Sequence, residues 1–452
     1  MSLLSPAYQL KAKEAFKIAL PIIAGQLGQI LMGFFDTVQI GGLGHEYIAG
    51  LGFGNNLFWM VNLLGMGILF AISTLVSEAK GENKLWKAVS IYRSGMKAAI
   101  ALSILFMLLT FLSMRYIHIF AQEEIVNEIA LRYLRYIVPT VFFMFVFTAC
   151  KQFLDGMGRT AIGMYITIGG LVLNVFLNWI LIYGKFGMPR MEIEGAAIAT
   201  MISRAVMTFV FLLIIRSDRS IRELRAQVNA SGQRKKNYLP SILRIGIPAG
   251  LQFFFEVVAF QIAHFMSGWI GIKELSAHGI AIGLASITFM VITGISAAGN
   301  ILTGFAYGAK DREGIRIAGN TIFAMTLGIE IIFAAVFLLF NNFLPTLYTD
   351  DAELITLASS MLVFAALFQI SDGLQSAASG ALRGIQDVRI PMVIALFSYW
   401  GVMMPFCYLL AFNTDLGLEG IWIGFIIGLT VASVLLLARF WWMVGRVKFE
   451  EI

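Results

Sequence analysis

Three carboxylic acids, Asp36, Glu256 and Asp372, stand inside long apolar runs of this 452-residue chain. Asp372 has the richest surroundings. On a 3.6-residue helix Gln369, Asp372, Gln375, Ser376 and Ser379 fall at i−3, i, i+3, i+4 and i+7 and share one face. Gln252 and Glu256 share a face of a second run, from which Glu256 can pair with Asp372. Asp36 has Gln29 seven residues before it on the same face; Asn174 and Asn178 are an i,i+4 pair, and Thr200 follows one run later. Oxygen-bearing side chains of this kind suit a proton or a hard cation. A carboxylate at such depth costs about 2.5–3.5 kcal/mol on insertion scales, so it faces a protein interior or a watery cavity. A structural Asp hydrogen-bonded between helices is the plainer alternative, and the common direction of the polar stripe argues against it. Each Asn taken alone fits interhelical hydrogen bonding nearly as well.

The elements that position these residues follow from composition. The chain is 59% hydrophobic and 13% charged, with a mean hydropathy of +0.82, where a soluble domain carries roughly 25% charge. Apolar stretches of about 20 residues, each long enough for a hydrocarbon core of about 30 Å, recur from end to end. The expected fold is an all-α membrane protein of about twelve transmembrane helices. The net charge of +6 sits in the loops and does not mean nucleic acid. Cys150 and Cys407 lie in apolar helix and imply no disulfide framework. The N-terminal stretch Met1 to Lys17 lacks a signal peptide's short apolar core and cleavage site, so the first span is expected to remain in the mature protein.

Loop charges set the orientation. Lys80, Lys84, Lys87, Arg159, Arg216 to Lys236, Lys310, Arg312, Arg316, Arg383 and Arg389 follow even-numbered spans. Glu123, Glu124, Glu128, Asp350, Asp351, Glu353, Asp415 and Glu419 lie in the opposite loops. The positive-inside rule puts both termini in the cytoplasm. One long polar segment, Ser217 to Tyr238, interrupts the spans, and at its start Arg216, Arg219, Arg222 and Arg225 recur every three residues, a spacing that puts them near one helix face. It reads as a basic, lipid-phosphate-contacting connector.

An internal repeat flanks that connector. Ala19-Leu-Pro21 returns as Gly246-Ile-Pro248 and Gly44 as Gly271, both 227 residues on; Leu154-Asp-Gly156 returns as Leu382-Arg-Gly384 at 228. Gly195, Ala199 and Ser203 match Gly420, Gly424 and Gly428 at 225, and small residues four apart let helices approach closely in lipid. The chain is therefore expected to divide into an N-terminal six-helix lobe (1–216), a basic cytoplasmic linker (217–239) and a C-terminal six-helix lobe (240–452) around a central cavity, related by a pseudo-two-fold along the membrane normal. The acids do not obey the repeat. Asp36 answers to Ala263, Glu256 to Gln29 and Asp372 to Met144.

Taken together, Ala19-Leu-Pro21 leading to Met32-Gly-Phe-Phe-Asp36-Thr, Leu173-Asn174 through Asn178, Gly195 to Thr200, Gly246-Ile-Pro248 with Phe254-Phe-Glu256-Val, and Asp372-Gly-Leu-Gln375 with Gly380 to Gly384 cover nearly the whole chain. In this combination the sequence resembles the multidrug and toxic compound extrusion (MATE) family, in its NorM-like branch. The resemblance implies secondary active antiport that exports lipophilic organic cations against inward Na⁺ or H⁺ by alternating access. It implies a first-lobe cation or proton site at Asp36, Asn174, Asn178 and Thr200, and a second-lobe site at Glu256 and Asp372, with Na⁺ as the candidate metal there. Gln29, Gln252, Phe255, Gln369 and Gln375 are the side chains expected to meet the transported compound. The chain departs from the family at Ala277-His278-Gly279, where a Gln often follows the His, so no role for that Gln carries over.

No cofactor beyond the coupling ion is expected, and Na⁺ is expected to be its principal identity, because two carboxylates in one dry site do not both stay ionised without a cation. No Gly-rich phosphate loop, HExxH or His/Cys cluster suggests an enzyme. The expected setting is the bacterial inner membrane, as a monomer. The rival reading is a lipid-linked oligosaccharide flippase of the same superfamily, which calls for several basic residues inside the spans to bind pyrophosphate. Here Arg204 is the main basic exception among acidic deep charges. Glu330, deep in the ninth span without an obvious partner, fits a functional and a lipid-edge position equally.

Overall fold

The structure is a computed structural model that describes residues 6–120, 123–230 and 236–446. Among these residues every regular element is a helix: α1 (Pro6–Gly41), α2 (His45–Leu69), α3 (Ala71–Gly81), α4 (Leu85–Arg115), α5 (Glu124–Ile137), α6 (Thr140–Gly156), α7 (Thr160–Tyr183), α8 (Glu192–Ser217), α9 (Arg219–Ala230), α10 (Leu239–Ile270), α11 (Ile272–Gly308), α12 (Arg312–Leu339), α13 (Ala352–Gly384), α14 (Arg389–Leu396), α15 (Met404–Phe412) and α16 (Leu418–Arg446). Eleven of the described segments are long and apolar enough to cross a membrane, with α2 and α3 counted as one and α14 and α15 as another. A twelfth is obtained when α5 and α6, bent by 53° at their junction, are counted together. The junction holds Pro139, which lacks the N–H to continue the helix.

The helices group into two compact units, and these are not simply the two halves of the chain. One comprises Ala24–Lys80 and Lys84–Gly250; the other comprises Met1–Ile23, Gly81–Asn83 and Leu251–Ile452. Helix α1 thus gives its first part to the second unit and its remainder to the first, while α10 does the converse. In both helices a proline, Pro21 or Pro248, stands two residues before the handover. Ala15, Ile18, Ala19 and Ile22 of α1 accordingly lie in one buried cluster with Ile292, Ile295, Ile322 and Phe440.

The sequence repeat reappears as repeated close packing inside each unit. Gly44 and Gly271 each stand at the N-cap of a long helix, α2 and α11. A Cβ on Gly156 would lie 2.8 Å from the carbonyl oxygen of Ser73, and one on Gly384 would lie 2.0 Å from Thr303 Oγ1. A Cβ on Gly195 would lie 2.8 Å from Leu181 backbone, and one on Gly420 would lie 2.5 Å from that of Leu410. Glycine is required at these positions because the neighbouring helix occupies the space of any side chain.

The arginine spacing around the connector does not make a single basic face. Arg216 belongs to α8 and Arg219 to α9, and Asp218 between them ends one helix and begins the next. Its Oδ1 accepts from the Ile221 amide at 3.1 Å and the Ser220 hydroxyl at 2.5 Å, while Oδ2 accepts from Arg159 at 2.6 Å. Residues 231–235 of the expected linker lie outside the described residues.

Candidate cation sites

In the first unit α1, α7 and α8 bring four of the expected residues together. The α7–α8 hairpin is set by Gly184, which ends α7 at φ +68°, a left-handed conformation that a side chain resists. The close seat of Gly195 on Leu181 then aligns the two helices. Asn178 Nδ2 donates to Asp36 Oδ1 at 2.5 Å, Thr200 Oγ1 lies 3.5 Å from Oδ2, and Asn174 Nδ2 donates to Thr200 Oγ1 at 3.2 Å. Asp36 is 8% exposed and the two asparagines are fully buried. The side-chain oxygens of Asn174 and Asn178 and the hydroxyl of Ser203 accept no hydrogen bond. A carboxylate beside two unused amide oxygens is an acceptor-rich pocket that a proton or a cation would satisfy. One turn past Thr200, Arg204 stacks 5.8 Å from the centre of the Phe58 ring and directs Nη1 to Met144 Sδ at 3.6 Å. Met144 is the repeat counterpart of Asp372, so the first unit has a thioether and a guanidinium where the second has an acid. Gln29 is only partly buried and makes no hydrogen bond to this cluster among the described residues.

In the second unit α10 and α13 face one another along their polar stripes. Gln375 Nε2 is shared between Glu256 Oε1 at 3.2 Å and Asp372 Oδ1 at 3.3 Å. One turn along both helices, Gln252 Nε2 donates to Ser379 Oγ at 2.7 Å. Gln369, one turn the other way on α13, accepts from Thr288 Oγ1 at 3.2 Å and leaves its Nε2 unpartnered. Glu256 and Asp372 are 8% and 6% exposed, and neither pairs with a Lys, Arg or His among the described residues. Arg383, two turns beyond Gln375 on α13, acts on Glu256 only at longer range. Phe255 is half-buried, with its ring edge-on to Phe254 at 6.2 Å.

Sequence reasoning overlooked Tyr399. It is fully buried, and its hydroxyl lies near enough to the Glu256 carboxyl to interact with it, though without a hydrogen bond of full geometry; the charge of Asp372 acts on it as well. It sits in a π-helical stretch, Phe397–Met403, between α14 and α15. Pro405, just beyond, cannot donate to the Gly401 carbonyl and crowds it, which loosens the turn. Against this widened turn press Gly424 and Gly428 of α16, where a Cβ would come within 2.5 Å of Cys407 Sγ and 2.3 Å of Met403 Cβ. The small-residue ladder legible in the sequence thus seats α16 on the segment that carries Tyr399. His278 packs among rings, 5.6 Å from Trp422 and 6.1 Å from Phe425, with Nδ1 unpartnered.

The MatE family model matches this chain twice, over residues 21–180 and 248–409. The two matches begin at Pro21 and Pro248, the offset of the sequence repeat. A probable multidrug resistance protein NorM of Agrobacterium fabrum is 32% identical over 439 residues, covering 96% of this chain and 94% of that protein. The multidrug resistance protein NorM of Vibrio cholerae is 30% identical over 441 residues, covering 96% of each. Among solved structures, a eukaryotic MATE transporter superposes with a TM-score of 0.87 at 22% identity over 98% of this chain and 97% of that one. An outward-facing multidrug resistance MATE family transporter gives 0.84 at 20% identity, covering 98% of each chain. At those identities the structural likeness speaks for the fold.

Proposed function

Since the chain belongs to the MatE family, we propose that it is a secondary active multidrug antiporter of the bacterial inner membrane, with both termini in the cytoplasm. It exports lipophilic organic cations against inward Na⁺ or H⁺ by alternating access. The observation that carries this reading is the Glu256–Asp372 pair: two buried carboxyls, no ion-pair partner, and a single amide nitrogen between them. Two like charges in a dry site repel, and a bound monovalent cation relieves both the repulsion and the desolvation. Na⁺ is the principal coupling ion in this proposal, held at Glu256 and Asp372, with the Tyr399 hydroxyl within reach as a neutral oxygen.

Organic cation and coupling ion compete for the same negative charge, so occupancy by one expels the other. That competition makes the exchange obligatory. The Asp36, Asn174, Asn178 and Thr200 cluster either modulates the cycle through a proton or meets the substrate. Exchange of one Na⁺ for one monovalent cation is electroneutral, and a second coupling ion would add about 2.3 kcal/mol per 100 mV of membrane potential. The test is ethidium transport in inverted vesicles with a Na⁺ gradient and a pH gradient imposed separately. Transport driven by neither gradient, with the protein abundant in the membrane, contradicts the proposal.

A further inference from the structure

Glu330 of α12 is a deep acid that the exchange just described leaves without a task. It is 2% exposed, and its Oε2 has no hydrogen-bond partner. One turn earlier on the same face, the Thr326 hydroxyl is fully buried and equally unpartnered. Outside the two candidate cation sites, the other fully buried acid among the described residues is paired: Asp155 with Lys151 at 2.7 Å. A carboxyl whose role is only to hold helices together would be paired in the same way.

The place of Glu330 is made by its neighbour on α13. A Cβ on Gly373 would stand 2.4 Å from Glu330 Oε1 and 2.8 Å from its Cγ, so the carboxyl fills the space that any side chain at 373 would need. Gly373 directly follows Asp372 in the chain. Among the described residues, Asp372 is the charged group that acts electrostatically on Glu330, and no basic side chain of α11, α13 or α16 offsets it. Two unpaired acids on packed helices therefore compete for one compensating charge.

We propose that Glu330 is a proton-binding site of the transport cycle, seated against Gly373 so that its protonation answers to the charge state of Asp372. The proposal rests on the assignment of Glu256 and Asp372 as the cation site. With that site empty, Glu330 is the neutral acid, Glu–COOH. Arrival of a monovalent cation at Asp372 compensates the local negative charge. Glu330 then releases its proton to solvent as Glu–COO⁻ and H⁺, and departure of the cation reverses the step. The same cation site is thereby read by a proton without either ligand acid having to be protonated.

The experiment measures protons released when Na⁺ or ethidium is added to purified protein in weakly buffered detergent, followed with a pH-indicating dye. Glu330→Gln mimics the neutral acid and should release about one proton fewer per protein than wild type, while Glu330→Asp should retain part of the release. Proton release and pH profile unchanged in a folded Glu330→Gln protein would overturn the proposal, whether or not ethidium is transported. A second arm needs no cation binding: pH-difference infrared spectra should show a protonated-carboxyl band that Glu330→Gln removes, and its persistence also overturns the proposal. If wild type bound neither Na⁺ nor ethidium, the cation-site reading would fail, and the infrared arm would still decide whether Glu330 takes up a proton.

Discussion

Glu256 on α10 and Asp372 on α13 accept hydrogen bonds from the same nitrogen, Gln375 Nε2, at 3.2 and 3.3 Å. One donor for two carboxyls leaves most of their lone pairs unused, in a place where water is scarce. The arrangement is under-satisfied for pure scaffolding and well suited to an exchangeable charge. Glu256→Gln and Asp372→Asn keep shape and remove charge. Each is expected to reduce cation-driven ethidium efflux to background while leaving the melting temperature in detergent within a few degrees of wild type. Efflux at wild-type rates in both variants would remove the second-unit cation site.

Gln375 itself gives a graded test. Replacing it by Ala takes away the amide hydrogen bonds that the pair shares while keeping both charges. The loss of a hydrogen bond to a charged group is worth about 1.5 kcal/mol, or roughly tenfold in the Na⁺ concentration that half-saturates transport. Maximal efflux should change far less than this half-saturation, which a Na⁺ titration of initial rates would separate.

Tyr399 should show the reverse pattern in stability. Its hydroxyl is buried beside Glu256 without a hydrogen bond of full geometry, so Tyr399→Phe removes an under-satisfied polar group and should leave the melting temperature unchanged or raised. If the hydroxyl serves the cation, the same variant should weaken Na⁺ dependence. A marked loss of stability would mean that the hydroxyl holds a structural partner instead.

These sites were unequally legible in the sequence. Helical periodicity fixes which side chains of one run share a face, so Gln369, Asp372 and Gln375, or Asn174 and Asn178, can be grouped from spacing alone. It cannot say which face meets which helix, and the seating of Glu330 on Gly373 is a contact between two runs with no common spacing. Tyr399 escaped because a π-helical turn shifts the register on which face assignment depends, and only Pro405 hinted at it. The handover of α1 and α10 between units was also hidden, since an unbroken apolar run carries no mark of a change of neighbours beyond Pro21 and Pro248.

The seat of α16 is open to a packing test. A methyl group on Gly428 would stand 2.3 Å from Met403 Cβ, whereas Gly279 on α11 has nothing within 4 Å. Gly428→Ala should therefore cost about 1–3 kcal/mol through overpacking. It should also lower Na⁺-dependent efflux by moving the turn that carries Tyr399. Gly279→Ala is the control, expected to be neutral or slightly stabilising because alanine favours the helix. Equal melting temperatures for the two variants would contradict the close seating.

Outside the membrane, Asp218 offers a prediction with a definite pH sign. Partial burial opposes its charge, but hydrogen bonds from Ser220, the Ile221 amide and Arg159, with the Arg159 charge, hold its carboxyl down at about 2, below the usual 3.8. A depressed folded-state value means that the ionised form stabilises the fold: the contribution is present in full above about pH 4 and is lost as pH falls toward 2. Asp218→Asn should thus loosen the start of α9 at neutral pH, read as faster amide exchange around residues 219–222, and the difference from wild type should shrink as the comparison is moved to acid. Because the group lies near the surface, the effect should be modest and weaker at high salt. A difference that grows on acidification would show that the carboxylate is not what caps this helix.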